Sequence, residues 1–310
     1  MLKEHFAWVL AVAVFVFVSA TFSEAQTVWN SASDGTWSNA PMWSAGVPDQ
    51  NAVFLTNTVG SYTVTVDTEP AAPFGNLAVV NAAGNTTRLN VDAAGFASTN
   101  GVLSFGKGAE VVVNSGGVMG YVGRTPATAP FVEVKNGGVW RVDGGTVDFS
   151  NLRRNTPTSG TSYIYIGNGS TGRMEVASGE IVFSGIAEDE TNNTAIIRVG
   201  NSTGSHGELV MSGGKLTIYN QSPAWNQEGL NIGTGGTGAR GAVSLSGDAL
   251  LLVSNMLNVA NTTLGTGTVD VAGSATLSMP RGNRFYVATS ASALGVVTVR
   301  ENGFLDLGGG

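Results

Sequence analysis

Residues 230–253 read LNIGTGGTGARGAVSLSGDALLLV, and the fold follows from how that stretch recurs. A strand-like triplet, Leu230-Asn231-Ile232, is closed by Gly233. Gly241 opens a second segment with Val243 and Leu245 in alternation, and Gly247 closes it. A third apolar segment, Leu250 and Leu252, comes next. From residue 163 onward the chain restates this unit five times. Its openings are Ile164-Tyr165-Ile166-Gly167, Ile197-Arg198-Val199-Gly200, Leu230-Asn231-Ile232-Gly233, Leu257-Asn258-Val259-Ala260 and Phe285-Tyr286-Val287-Ala288. The closing small residues stand 33, 33, 27 and 28 apart. Periods of that size mark a stacked repeat architecture.

The second strand is opened each time by a glycine: Gly172, Gly207, Gly241, Gly267 and Gly295. Apolar residues then alternate with polar or small ones, as in Met174/Val176, Leu209/Met211, Val269/Val271 and Val297/Val299. Gly179, Gly214, Gly247, Gly273 and Gly303 close it. Third segments are Ile181/Phe183, Leu216/Ile218, Leu250/Leu252 and Leu305/Leu307, while Leu277/Met279 fit only after a one-residue shift. Alternation at period two sends one set of side chains inward and the other into water. Three strands per unit, turned by glycines, close a coil, and coil stacks on coil so that like residues form internal columns. The expected fold is therefore all-β, a parallel β-helix (β-solenoid) with about three strands per coil. A β-propeller needs four strands per blade, and a β-sandwich has no need of three matched strands recurring in phase. The clearest units are 163–185, 196–220, 229–253, 256–280 and 284–310.

Upstream the pattern is less regular. Val64/Val66, Leu77/Val79, Leu89/Val91, Leu103/Phe105 and Val111/Val113 carry the alternation back to about residue 62. Tyr121-Val122-Gly123 resembles an opening strand, with Val132/Val134 and Val147/Phe149 after it, which makes one coil of 44 residues from Gly123 to Gly167. Eight or nine coils are expected in residues 61–310, on the order of 40 Å long. Residues 26–60 differ: Trp29, Trp37 and Trp43 fall there, half of the six tryptophans. An end coil exposes its apolar interior and strand edges, so this segment is expected to act as a cap in preference to a sugar-stacking platform.

At the amino end Lys3 precedes an apolar run, Phe6 to Val18, and then Ser23-Glu24-Ala25. That is the layout of a signal peptide, residues 1–25, cleaved after Ala25. The run is 13 residues, short of the roughly 20 that span a bilayer. Residues 26–310 carry 14 Lys+Arg against 20 Asp+Glu, a formal −6, which argues against nucleic acid as a partner. Cysteine is absent, so thiolate catalysis and cysteine metal sites are excluded. Only 12 % of residues are charged, and glycine numbers 44. The 42 % hydrophobic content at strand spacing separates this composition from low-complexity disorder.

Motifs of chemistry are sparse. His206 is the one histidine of the mature chain and is read as a solvated turn residue. Gly233-Thr-Gly235-Gly-Thr-Gly238 spells G-x-G-x-x-G, but a strand follows where the dinucleotide motif needs a helix, so no cofactor is expected. Glu188-Asp189-Glu190 has the oxygen ligands for Ca²⁺, yet beside Thr191-Asn192-Asn193 it reads as a solvated loop and no metal site is assigned. Arg141, Asp143, Asp148, Arg153 and Arg154 are the candidates if the scaffold hosts a polysaccharide lyase or hydrolase. No catalytic residue is assigned, because the strands fix no shared face for them. For binding, Tyr165, Arg198, Asn231, Asn258 and Tyr286 are expected to stack into one outward column suited to an extended polymer.

The Trp-Asn…Gly-Thr-Trp-Ser…Trp…Gly-Val-Pro-Asp opening, Trp29 to Asp49, followed by units such as Leu-Asn-Ile-Gly…Gly-Ala-Val-Ser-Leu-Ser-Gly, resembles the repeat proteins of bacterial type V (autotransporter) secretion and of PEP-CTERM-bearing exported proteins. The resemblance covers most of the mature chain and lies in ladder and turn residues. It implies a right-handed β-helix, an extracellular or outer-surface location reached through secretion machinery, and an adhesive or matrix role toward extracellular polysaccharide or cell-surface components. The chain ends at Leu307-Gly308-Gly309-Gly310 without the barrel or sorting tail of those proteins. Three functions are carried forward: a non-catalytic, adhesin-like surface scaffold that binds extracellular glycans, a polysaccharide lyase or glycoside hydrolase on a β-helix, and a self-assembling extracellular matrix or filament component that associates end to end through the coil at Phe304 to Leu307.

Overall fold

The computed structural model describes residues 26–308 except 82, 100, 123, 126–131, 151–152, 155–159, 185–192, 221–227 and 282–283. Residues 1–25, expected to be a signal peptide, Gly123 and the acidic run Glu188-Asp189-Glu190 lie outside the described residues. Among the described residues the chain winds into a parallel β-helix of ten coils. Its opening face is a sheet of ten parallel strands, from Gln26–Val28 through Ala52–Leu55, Leu77–Val79 and onward to Phe285–Val287. The middle face runs from Gly35–Thr36 and Tyr62–Val66 to Leu294–Val299, and the closing face from Phe96–Ser98 to Phe304–Asp306. These two faces join in one sheet because Gly138–Phe149 and Thr171–Ser184 each continue around the corner between them. The one helix among the described residues is a 3-10 turn, Ala40–Met42.

Register builds the core. Val132, Ile164, Ile197, Leu230 and Leu257 are successive partners on the opening face, as are Val134, Ile166, Val199, Ile232 and Val259. On the middle face Trp140, Met174, Leu209, Val243 and Val269 form the matching column. All of these are buried. No single coil can shield such residues, so the apolar free energy, about 25 cal/mol per Å² buried, is gained only by stacking.

The corners explain the small residues. Gly167, Gly200 and Gly233 close their opening strands at φ 74°, 73° and 64°, and Ala260 and Ala288 do so at 54° and 50°. Each next strand begins with a glycine for a different reason, close approach. A Cβ on Gly172, Gly207 or Gly241 would sit 2.2, 2.1 or 2.3 Å from the carbonyl oxygen of Val134, Ile166 or Val199 in the coil before.

Several expectations change. Val132–Val134 is itself an opening strand, paired with Leu103–Phe105 before it and Ile164–Ile166 after it, whereas Tyr121 ends a closing strand. The 44-residue coil therefore dissolves. Its landmark is hidden because Lys135 stands where later coils have a small residue, and Asn136 and Gly137, at φ 53° and 82°, make the turn. In the unit opened by Leu230 the inward closing residues are Leu251 and Val253; Leu277 is in register with Leu251, so no shift exists. Glu301, φ 58°, turns the last coil where Gly303 was expected to. Ten coils exceed the expected eight or nine because Gln26–Val28 and Ala52–Leu55 enter the opening sheet.

Candidate functional site

The outward column of the opening face exists as a row. Glu133, Tyr165, Arg198, Asn231, Asn258 and Tyr286 are successive register partners. Alternation puts them outward, since Ile164, Ile166, Ile197 and Val199 take the inward positions. Outward does not mean free: Asn231 and Asn258 are each only 2 % exposed. The Asn258 amide donates to Asn231 Oδ1 at 2.7 Å, and the Asn231 amide donates to Glu228 Oε2 at 2.7 Å. Arg198 donates to Glu228 at 3.2 Å and to Asn201 Oδ1 at 3.3 Å, and its guanidinium lies 4.7 Å from the centre of the Tyr163 ring. Tyr163 and Tyr165 pack at 5.2 Å between ring centres. Burial pushes the Tyr165 phenol up, with Arg198 opposing. Tyr286, at the far end, has Arg284 6.0 Å from its ring centre.

A second polar row runs beside the first, and the sequence reading missed it. Asn168 donates to Glu133 Oε1 at 2.7 Å, and Asn201 donates to Asn168 Oδ1 at 3.1 Å. Lys135 holds the other Glu133 oxygen at 2.5 Å. The signal was present in the spacing: Asn168 and Asn201 lie one 33-residue period apart.

The middle face brings together part of the enzyme candidates. Arg141 donates to Asp143 at 2.9 Å and stands 3.8 Å from Glu175. Arg173 continues the chain to Glu175 at 2.6 Å and to Glu208 at 2.5 Å, and His206 Nε2 lies 3.2 Å from Glu208 Oε1. His206 is thus the first residue of the strand His206–Met211, not a loose turn residue. Asp148 lies on the closing stretch of Gly138–Phe149 and accepts the Ser150 N–H at 2.9 Å, apart from this chain. The backbone of Arg153–Arg154 pairs with Arg124–Thr125, and the side chains of these four residues lie outside the described part. Hydrogen bonds from His206 and then Arg173 hold the Glu208 carboxyl below the usual carboxylate range. A glycosidase acid needs the opposite, a carboxyl kept protonated by burial. Asp143 and Glu175 are each taken up in an ion pair, with Arg141 and Arg173.

The tryptophan segment is interior. Trp29, Trp37 and Trp43 are 1 %, 1 % and 4 % exposed. Trp37 meets Phe96 edge-on at 4.9 Å, and Trp43 Nε1 donates to the Trp37 carbonyl at 2.8 Å. These rings plug the first coils and offer no stacking platform. The tenth coil differs: Val287 and Val299 are 38 % and 44 % exposed although they pair with the buried Val259 and Val271 of the coil before. The G-x-G-x-x-G spelling lies in the turn before the strand Arg240–Leu245, with Gly233, Gly236 and Gly238 at positive φ. Among the described residues no group of three or more His, Asp or Glu is placed to hold a metal ion, and no helix is long and apolar enough to cross a membrane.

No family model, no curated protein and no solved structure matches the chain.

Proposed function

We propose that the protein is an exported, non-catalytic scaffold of the extracellular surface, in the manner of the autotransporter and PEP-CTERM-associated repeat proteins that its sequence resembles. The observation that supports this reading is the way outward polar groups are used. Asn231 with Asn258, Asn168 with Asn201, Arg173 with Glu208 and Lys215 with Glu180 each bind their neighbour one coil away. Side chains committed to the next coil rigidify a rod; they are not held ready for a reacting bond. The test is incubation of residues 26–310 with a panel of neutral and uronate polysaccharides, reading reducing ends and unsaturated-uronate absorbance. No turnover is expected, and sustained turnover ends the proposal.

A second reading, end-to-end association, is favoured by the exposed inward columns of the tenth coil. The occupant is a second copy meeting the same end, because the opposite end is filled by Trp29, Trp37 and Trp43. Two like ends close a two-fold pair and do not propagate a filament. Light scattering over a concentration series of residues 26–310 distinguishes the outcomes: a monomer–dimer equilibrium supports it, and a monomer throughout or open-ended growth overturns it.

A further inference from the structure

The geometry points to a binding site for a neutral, polyhydroxylated sugar unit on the middle face of the first four coils. This goes beyond the scaffold reading, and it stands whether or not that reading holds. An open cavity of ≈ 330 Å³ lies there, lined by Asp34, Ser61, Thr63, Thr86, Arg88 and Glu110 among others. That volume is at the small end for ligand pockets.

Register makes the site. Thr63, Arg88 and Glu110 are successive partners, and Asp34 immediately precedes Gly35, the partner of Val64. An acid, a hydroxyl, a cation and an acid therefore stand in one column at about 4.8 Å intervals. The same column holds Arg173 and Glu208 three and four coils beyond Arg88, and the two pairs differ. Arg173 grips Glu208 at 2.5 Å, whereas Arg88 and Glu110 stand 3.7 Å apart, beyond hydrogen-bond reach. Arg88 instead turns its Nε to Asn90 Oδ1 at 2.8 Å. One pair is closed upon itself, and the other borders a cavity.

The donors and acceptors at the rim fix the ligand class. Asp34 accepts the Thr63 N–H through Oδ1, and Ser61 Oγ accepts the Thr86 N–H, which leaves the Ser61 hydroxyl proton to donate. Arg88 supplies further donors, and Glu110 supplies acceptors. Adjacent sugar hydroxyls both donate and accept, so they match a carboxylate next to a guanidinium. A phosphate or uronate would face two carboxylates for one arginine and is disfavoured. A shared cation is excluded because Asp34 and Glu110 are three coil steps apart, roughly 14 Å. Tyr62 points inward and is 2 % exposed, so no aromatic wall adds stacking and the contact is weak.

Saturation-transfer NMR on residues 26–310 tests this with D-galactose, D-mannose, N-acetyl-D-glucosamine, cellobiose and maltotriose, and with D-glucuronate as the charged comparator. At least one neutral sugar is expected to bind and to outbind glucuronate. Its affinity should fall about tenfold or more in Arg88→Ala and stay unchanged in Arg173→Ala. Glu110→Gln, which preserves side-chain shape, should weaken it as well and serves if Arg88→Ala fails to fold. Absence of binding by every neutral sugar overturns the proposal. So does preference for glucuronate, or binding indifferent to Arg88 and Glu110. Turnover of a polysaccharide, which would end the scaffold reading, leaves these outcomes unaffected.

Discussion

Asn258 lies directly over Asn231 in the next coil and donates its amide to the Asn231 side-chain oxygen at 2.7 Å, with both residues 2 % exposed. Burial is what makes this bond matter. A surface amide that loses its partner turns to water, but a buried one is left unpaired and costs about 1–3 kcal/mol. Asn258→Ala is therefore expected to lower unfolding free energy by about that amount. The double variant Asn231→Ala/Asn258→Ala should cost less than the sum of the single ones. Urea titrations of all four proteins measure the coupling; strict additivity would show that the two side chains do not interact.

Gly233 and Ala260 occupy equivalent corners, yet their substitutions should differ. A Cβ on Gly233 would lie 1.9 Å from the Thr266 carbonyl oxygen, so Gly233→Ala must move backbone. It is expected to cost more than about 2 kcal/mol. Ala260 already carries its methyl at φ 54°. Ala260→Gly relieves left-handed strain but frees the unfolded chain and removes a buried methyl, so it should fall within about 1 kcal/mol of the parent. Thermal melts of the two variants side by side decide the matter.

Leu209 sits in the middle of an inward column between Met174 and Val243. Leu209→Ala should cost about 2–5 kcal/mol. Because each coil contacts only its neighbours, the loss should be local: amide exchange should quicken around residues 172–176, 207–211 and 241–245 before it does in the first three coils. Uniform acceleration along the chain would contradict nearest-neighbour stacking.

Acid should destabilise the rod. The Glu208 carboxyl is held low by His206 and Arg173, that of Asp270 by Arg300, and that of Asp306 by the Gly308 N–H. A carboxyl whose folded value is depressed contributes stability above its unfolded value, and that contribution disappears as pH falls through the folded value. The decline should begin at about pH 5, where the unfolded carboxyls start to take up protons, and continue as pH falls through the lower folded values, with little slope from these groups above about pH 6. Urea midpoints between pH 7 and pH 3 measure the decline, and Glu208→Gln combined with Asp270→Asn should make it shallower. An unchanged decline would assign it to other carboxylates.

The inward ladder was legible because alternation and glycine punctuation both report it, as at Met174/Val176 between Gly172 and Gly179. Phase failed where apolar residues run together: Leu250-Leu251-Leu252-Val253 fits either face by sequence, and only pairing with Leu216 and Leu277 selects Leu251. The turn at Glu301 was missed because a left-handed conformation on a charged residue leaves no glycine to find. Around the outward column, period two gives a side chain's direction but not what lies over it, so Asn231 and Asn258 read as solvent-facing. The Arg88–Glu110 cavity escaped notice because its residues come from coils that lack the clean repeat.

The aromatic floor beneath the first coils gives the rod a direction. Trp29 and Trp37 are closed in by Tyr62, Phe74 and Phe96 of the next two windings, so the first three turns form one aromatic block, while each later turn rests on the edge of its predecessor. An aromatic block of that kind would give the stacking a place to begin, each added winding templated on the one before it.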